Sequence, residues 1–171
     1  MVEIVKAETS DIETVRGLAD VAFRHTYQNI LSPQQIDYMM DMMYSPSNLH
    51  RQFDEGHAYY IAYCDGLPGG YVSVQADGHT EDGMPRYHLH KIYVLPSAQG
   101  KGLGRMLFDC ALEHIRAEIP GVPFQIELNV NRSNPAVEFY CHLGLKILRQ
   151  GDFCIGNGYY MNDYIMGAVV G

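Results

Sequence analysis

A glycine-rich turn between an apolar strand and a helix is the feature that most constrains this chain. Tyr87 to Leu95 has the composition of a strand, and Gly102 to Glu118 has the spacing of a helix. Between them stands Gln99-Gly100-Lys101-Gly102-Leu103-Gly104. The first N–H groups of a helix lack internal acceptors and lie at the positive end of its dipole, so this junction predicts a site for phosphate oxygens.

Two familiar phosphate-binding motifs do not fit this turn. A P-loop requires Ser or Thr directly after its lysine, whereas Gly102 follows Lys101 here. The dinucleotide pattern G-x-G-x-x-G requires a third glycine where this chain has Arg105 or Leu107, depending on the frame. Taken alone, the turn leaves open a glycine-rich connection that binds no ligand.

The composition indicates one domain, residues 1 to 171, because 47% hydrophobic residues suffice for a single core at this length. A formal net charge of -8 argues against nucleic acid and anionic lipid as partners. No basic segment leads into an apolar one at the start, and no run approaches the about 18 apolar residues of a membrane span, so the cytoplasm is the expected compartment. The four cysteines form no C-x-x-C pair, which argues against a zinc knuckle or redox motif.

The order of the predicted elements indicates an α/β fold. A strand at Val2 to Lys6 precedes helices at Ser10 to Tyr27 and Ser32 to Met43, and a short helix or turn follows Pro46. Later segments predict strands at His57 to Cys64, Gly70 to Gln75, Tyr87 to Leu95, Phe124 to Asn131, Leu145 to Phe153 and Tyr159 to Val169, with helices at Gly102 to Glu118 and Pro135 to Leu143. The expected architecture is a mixed, mostly antiparallel sheet of about six or seven strands flanked by about four helices.

The glycine-rich turn resembles the [RQ]-x-x-G-x-[GA] signature of the GNAT superfamily of N-acetyltransferases. His90 to Pro96 resembles the family's fourth strand, and Asn129 to Tyr140 resembles its fifth strand and following helix. Phe139 to Leu145 is similar to the family's F-Y-x-x-x-G-F run, with leucine at the last position. Phe23 to Tyr27 and Gly156 to Tyr164 resemble the bacterial PaiA-like spermidine/spermine acetyltransferase branch.

The resemblance implies the GNAT fold and acetyl-CoA as co-substrate, with no metal. The cofactor positions carried over are Ile92, Tyr93, Val94, Gln99, Gly100, Lys101, Gly102, Leu103, Gly104, Arg105, Asn131, Asn134 and Tyr140. In the family a tyrosine at the place of Tyr140 donates its proton to the departing thiolate. The alternative for Tyr140 is a core aromatic beside Phe139.

His88 and His90 are the candidate general bases for deprotonating the amine. Alternation along the strand places both histidines on the same face as Ile92 and Val94, where the cofactor is expected. Each histidine could instead be a half-buried strand residue satisfied by a neighbour. A chelating H-x-H pair is a further alternative, although the sequence offers no identifiable third ligand.

The expected acceptor is a small-molecule primary amine such as a polyamine, with the acetyl group transferred directly. Tyr27, Asp37 and Asp41 are the candidate substrate residues, since the two aspartates share one helical face and could pair with a cation. A solvated face is the simpler interpretation of that pair. Other possible functions are acetylation of a protein α-amine, lysine or aminoglycoside, or a CoA-binding module without catalysis. A homodimer is left open.

Overall fold

A computed structural model describes all 171 residues and shows one seven-stranded sheet with helices on both faces. The strands are β1 (Val2–Lys6), β2 (Ala58–Cys64), β3 (Leu67–His79), β4 (Pro85–Val94), β5 (Phe124–Asn131), β6 (Lys146–Gly156) and β7 (Tyr159–Val170). The helices are α1 (Ile12–Tyr27), α2 (Pro33–Tyr44), α3 (Pro46–Asp54), α4 (Leu103–Glu118) and α5 (Ala136–His142). The strand order is β1-β2-β3-β4-β5-β7-β6, and only β4 and β5 pair in parallel.

The predicted mixed, mostly antiparallel α/β architecture is confirmed. The α-helices number five instead of about four, because the segment after Pro46 forms the complete helix α3. β3 is also longer than predicted, since its hairpin with β4 continues past Ala76 through a register shift to the pair His79 and Pro85.

Local hydrogen bonds determine where the first helices begin. Ser32 Oγ accepts a hydrogen bond from the backbone N–H of Gln35 at 3.1 Å, which caps α2 as predicted. α1 begins at Ile12, two residues later than predicted. The Asp11 carboxylate accepts a hydrogen bond from the Glu8 backbone N–H at 2.8 Å, and a short 3-10 turn precedes the helix.

One apolar layer joins α4 and α5 to the first face of the sheet. Leu107, Ala111 and Ile115 of α4 belong to the same buried cluster as Val72 of β3 and Leu128 of β5. These side chains are almost fully removed from water, so the hydrophobic effect holds α4 against the strands that flank its N-terminus.

A second apolar layer lies under α1, α2 and α3 on the opposite face. Val15 and Leu18 of α1 and Leu49 of α3 cluster with Tyr59 of β2 and Tyr71 of β3. The end of α1 is thereby fixed above the middle of the sheet, where β4 lies.

A β-bulge at His90 changes which side chains of β4 share a face. Ser73 and Val74 are consecutive on β3, but their partners on β4 are Lys91 and Leu89, so His90 is one residue in excess. Leu89 therefore packs in the α4 layer, whereas Lys91 is buried under the helices on the other face.

The bulge makes one sequence prediction wrong. Ile92 and Val94 pack against the α4 layer. His88 alternates with the inward residues of that layer and so faces the α1 side, where the His90 ring also lies beside His57. The histidines and the two apolar residues are thus on opposite faces, because one extra residue inverts the alternation between them.

Lys91 is a buried cation without a carboxylate partner. Its side chain retains 7% of its exposure, and its Nζ donates hydrogen bonds to Gln52 Oε1 at 2.7 Å and to the Tyr59 hydroxyl. The Nζ also lies 4.6 Å from the centroid of the Tyr44 ring. Burial lowers the pKa of Lys91 to about 7.

Lys91→Met should remove a pH-dependent component of stability. The lysine pKa is about 7 when folded and 10.5 in its unperturbed form, so between these values the unfolded chain binds a proton that the native state lacks. The wild-type free energy of unfolding should therefore rise relative to the variant as pH increases through this window, by up to about 1.4 kcal/mol per pH unit. Urea unfolding of both proteins at about pH 6, 7.5 and 9 measures the difference. Parallel pH curves would contradict the prediction.

Candidate active site

The central cleft opens where β4 and β5 separate. These strands pair only from Arg86 with Gln125 to His88 with Glu127, and their pairing ends there. The resulting cavity has a volume of about 700 Å³. Residues at the start of α4 and residues of α5 line the cavity on one side of the sheet, and the end of α1 lines it on the other side. The opening therefore passes through the sheet.

The separation leaves backbone groups of β4 without a partner strand. Leu95 N–H donates to Gly69 O of β3 at 2.8 Å. Since hydrogen bonding alternates along an antiparallel pair, the N–H and C=O groups of Ile92 and Val94 point away from β3 and into the opening. Both residues line the cleft, so their backbone groups are available to a ligand.

The turn before α4 carries a row of free donors. The backbone N–H groups of the six residues from Gly100 to Arg105 donate to no acceptor within the protein. Gly100 and Gly102 have φ values of 81° and 77°, a conformation that glycine adopts without strain. Together with the positive end of the α4 dipole, these groups form a cradle for phosphate oxygens, which fits the pyrophosphate of acetyl-CoA.

Most of the residues predicted in the glycine-rich turn line the cleft. They are Gln99, Gly100, Gly102, Leu103, Gly104 and Arg105, whereas the Lys101 side chain is absent from the lining. A Cβ at Gly104 would lie 3.0 Å from the Phe139 ring, so only glycine lets α5 pack this closely on the start of α4. That contact places the next residue, Tyr140, in the wall of the cleft.

Tyr140 combines deep burial with access to the cleft. Its residue exposure is 6%, and burial, followed by the nearby Tyr27, raises the pKa of its phenol well above the usual value. Tyr93 also lines the cleft and packs its ring against Phe23 and Tyr71. Tyr140 therefore presents a protonated phenol to the cleft.

The two predicted asparagines have different positions. Asn134 lines the cleft, and its Oδ1 accepts a hydrogen bond at 2.9 Å from the N–H of Ala136, where α5 begins. Asn131 is buried outside the lining, and its Oδ1 accepts a hydrogen bond from Ser133 N–H at 2.9 Å. The structure thus brings Asn134 to the cofactor side and places Asn131 in the turn that supports it.

Three histidines gather on the acceptor side of the sheet. His90 lies in the cleft wall with its ring centroid 4.4 Å from that of His57 and 4.5 Å from that of His88. The cleft exposes one side of the His90 ring. Removal of the rest of the ring from water is the main cause that lowers its pKa to about 3, and the neighbouring His88, His57 and Lys91 add to this shift. Burial is also the main cause that lowers the pKa of His57, to about 4, and the pKa of His88. All three imidazoles are neutral at pH 7.

A buried carboxylate lies behind the acceptor-side wall. Asp163 has 6% exposure, its Oδ2 accepts a hydrogen bond from Asn129 Nδ2 at 3.3 Å, and no protein group donates to its Oδ1. Asn129 and Tyr27 both line the cleft. Burial raises the pKa of Tyr27, and the charge of Asp163 raises it further, while hydrogen bonds to Tyr93 and Asn134 oppose the shift. Burial also raises the pKa of Asp163 itself, while the hydrogen bond from Asn129 and the charge of Arg132 oppose this shift.

Asp37 and Asp41 do not reach the cleft. They line a separate polar groove of about 600 Å³ between α1 and α2. Arg24 occupies this groove and pairs with Asp37 Oδ1 at 2.6 Å. The structure therefore brings Tyr27, but neither aspartate, to the predicted acceptor site.

Sequence reasoning missed several residues of the site. His57, Gln75 and Asp163 belong to three strands or strand ends that are distant in sequence from the glycine-rich turn. Their only sequence signals are a polar side chain within an apolar strand and a histidine at a strand start, and both are common in proteins. No three His, Cys, Asp or Glu side chains converge as metal ligands, and no helix is long and apolar enough to cross a membrane.

The family model of the acetyltransferase (GNAT) domain matches residues 27–165. The protein therefore belongs to the GNAT acetyltransferase family and is an acyltransferase that uses acetyl-CoA. A relative from Lactobacillus delbrueckii subsp. lactis, named as an uncharacterized N-acetyltransferase in the pepI 3′ region, is 26% identical over 160 residues, which is 91% of each chain.

Two solved structures illustrate the shared fold. The PaiA N-acetyltransferase of Thermoplasma acidophilum, solved with coenzyme A, has a TM-score of 0.77 and 22% identity over 98% of both chains. The ribosomal-protein-S18-alanine N-acetyltransferase of Escherichia coli has a TM-score of 0.70 and 19% identity over 99% of this chain and 94% of its own. At these identities the likeness establishes the fold alone.

Gly102→Val should weaken acetyl-CoA binding. A β-branched residue at a φ of 77° strains the turn by about 1–3 kcal/mol and displaces the N–H groups that face the phosphates. We expect the dissociation constant from isothermal titration to rise about 10-fold or more. Gly121→Val is the matched control, because Gly121 has a φ of 74°, equally open surroundings and a position outside the cleft. Equal affinity in both variants would disprove the cradle.

Proposed function

We propose that this protein transfers the acetyl group of acetyl-CoA directly to the primary amine of a small cationic molecule, with a polyamine as the best candidate. The observation that carries the proposal is the cleft through the sheet, which has free backbone donors on the α4 side and the charge of Asp163 on the α1 side. The two substrates can thus approach from opposite faces and meet between β4 and β5.

Backbone groups are proposed to bind and activate the thioester. The N–H groups of Gly100 to Arg105 hold the pyrophosphate, and the unpaired groups of Ile92 and Val94 hold the pantetheine and the acetyl carbonyl. A strand N–H directed at the carbonyl oxygen stabilises the negative charge that develops there during attack. This role requires no side chain.

His90 is proposed as the group that accepts the proton of the amine. An aliphatic amine has a reference pKa near 10.4, so its attacking form is the minor one at neutral pH. His90 lines the cleft whereas His88 does not, which favours His90 of the two predicted bases. Its lowered pKa keeps the ring neutral, and it accepts the proton as the new C–N bond makes the amine nitrogen positive and hence acidic.

Tyr140 is proposed to protonate the departing sulfur. Burial keeps its phenol protonated at every working pH but also makes release of that proton costly. We therefore expect Tyr140 to donate a hydrogen bond to the sulfur first and to yield the proton as the thiolate charge develops.

The preference for a polyamine rests on charge and on likeness. Asn129 directs its amide nitrogen to Asp163, which leaves its Oδ1 free to accept a hydrogen bond from an ammonium group in the cleft. The buried carboxylate behind it adds a favourable potential for a cation. The fold likeness to the PaiA N-acetyltransferase agrees with this acceptor class.

A panel of amines tests the acceptor. Acetyl-CoA consumption should be faster with spermidine or spermine than with peptides, lysine or aminoglycosides, and added salt should weaken the polyamine response. Asp163→Asn should raise the polyamine KM about 10-fold, equivalent to ~1.4 kcal/mol, because the charge is lost while the shape is kept. Asp54→Asn, an exposed charge at the end of α3, is the control.

The competing functions correspond to other outcomes of the same panel. Faster turnover of peptides would indicate a protein α-amine or lysine acetyltransferase, and faster turnover of aminoglycosides would indicate that class. Binding of acetyl-CoA without turnover of any amine would indicate a non-catalytic CoA-binding module.

Tyr140→Phe should lower turnover by about 100-fold to 10,000-fold and leave acetyl-CoA affinity nearly unchanged, because the ring keeps its packing and only the proton donor is lost. Tyr87→Phe is the matched control, since Tyr87 is equally buried, packs on Phe124 and lies outside the cleft. Wild-type turnover in the Tyr140 variant, with chemistry shown to be rate-limiting, would make this residue a core aromatic.

A further inference from the structure

We infer that Gln75 is a positioning residue that determines which nitrogen of His90 accepts the amine proton, an inference that rests on the proposed function. Gln75 Nε2 donates a hydrogen bond to the backbone carbonyl of Glu55 at 2.8 Å. A carbonyl oxygen only accepts hydrogen bonds, so this contact determines the orientation of the amide. Gln75 Oε1 must then face the other way, towards His90.

The oriented amide selects one tautomer of the imidazole. Gln75 Oε1 lies 3.0 Å from His90 Nε2. An amide oxygen also only accepts, so Nε2 carries the hydrogen and Nδ1 of the neutral ring retains the lone pair. The chain from the Glu55 carbonyl through Gln75 to His90 thus has one consistent direction of hydrogen bonding.

Nδ1 is the nitrogen of His90 that the protein leaves without a hydrogen bond. His90 Nδ1 makes no hydrogen bond to the protein, and His90 lines the cleft. The imidazole of His57 stacks on one face of the ring at an interplanar angle of 26°, and the His88 ring lies tilted by 44° with its centroid 4.5 Å away. The ring is therefore held from behind by Gln75 and from one face by His57.

The proton balance of the reaction follows from this arrangement. The unprotonated amine nitrogen bonds to the acetyl carbon, its proton passes to Nδ1 of His90, the C–S bond breaks and the sulfur takes a proton from Tyr140. Exchange with solvent then removes the proton from His90 and returns one to the Tyr140 phenolate, so the enzyme regains its starting state. The imidazolium formed on His90 keeps its Nε2–H bonded to Gln75 Oε1. Because glutamine is neutral, it orients the ring without the negative charge that would favour protonation of the free enzyme.

Two substitutions separate orientation from charge. Gln75→Met removes the acceptor at similar length and should lower kcat/KM for the amine about 10-fold to 100-fold, the usual effect of losing the group that orients a functional histidine. Acetyl-CoA affinity should stay unchanged.

Gln75→Glu places a carboxylate beside Nε2 and should raise the His90 pKa from about 3 towards its ordinary value of 6.5. Once kcat/KM is divided by the fraction of unprotonated amine at each pH, an additional acid limb should appear at about pH 5 to 6.

A double-mutant cycle tests whether Gln75 acts through His90. In a His90→Gln background, Gln75→Met should cause no further loss of kcat/KM. Gln150→Met, at an exposed glutamine of β6, controls for a glutamine-to-methionine change on a strand. A full additional loss in the His90→Gln background would overturn the inference.

NMR titration of the histidine ring protons separates this inference from the proposed function. If no amine is acetylated by the wild type, the proposed function fails, yet the His90 titration still tests the contact. A higher His90 pKa in Gln75→Glu than in the wild type supports the contact between Gln75 and His90. An unchanged His90 titration overturns it, and the resonance of His142, an exposed residue of α5 on the opposite face of the sheet, serves as an internal reference.

Discussion

The site depends on the loss of hydrogen bonding between β4 and β5 after His88 and Glu127. Backbone N–H and C=O groups seek partners, and a strand that leaves its neighbour inside a sheet has to find them elsewhere. Here the free groups of Ile92 and Val94 and the N–H row from Gly100 to Arg105 face one cavity. The fold thus concentrates unsatisfied donors where a thioester and a pyrophosphate can satisfy them.

The bulge at His90 divides the chemistry between the two faces of the sheet. One extra residue puts the imidazole on the α1 side while Ile92 stays on the α4 side. In the proposed mechanism, His90 then meets the amine, and the strand backbone meets the thioester. The same bulge buries Lys91 beneath the helices, where desolvation disfavours its charge. The arrangement that builds the site therefore costs stability nearby, as is common at functional sites.

Few charged side chains lie on the α1 side of the cleft, and those that do are buried. Burial lowers the pKa values of His57 and His88. Asp163 is a buried carboxylate near Tyr27. Glu127 is a second buried carboxylate on this face of the sheet, and it pairs with Arg149 at 3.0 Å. The exposed Asp37 instead forms an ion pair with Arg24 in a separate groove, although its place on a charged helical face had suggested it as a residue that binds the acceptor.

The sequence by itself determined the element order and the cofactor side of the site. Strand, glycine turn and helix are consecutive in the chain, and the free N–H groups from Gly100 to Arg105 follow from local backbone geometry. Only the tertiary structure decided the acceptor side. The bulge at His90 depends on how β4 registers with β3. Gln75 and Asp163 contact the cleft residues His90 and Asn129 from strands far apart in sequence. Such contacts depend on long-range pairing and burial, which leave no periodic signal in the residues themselves.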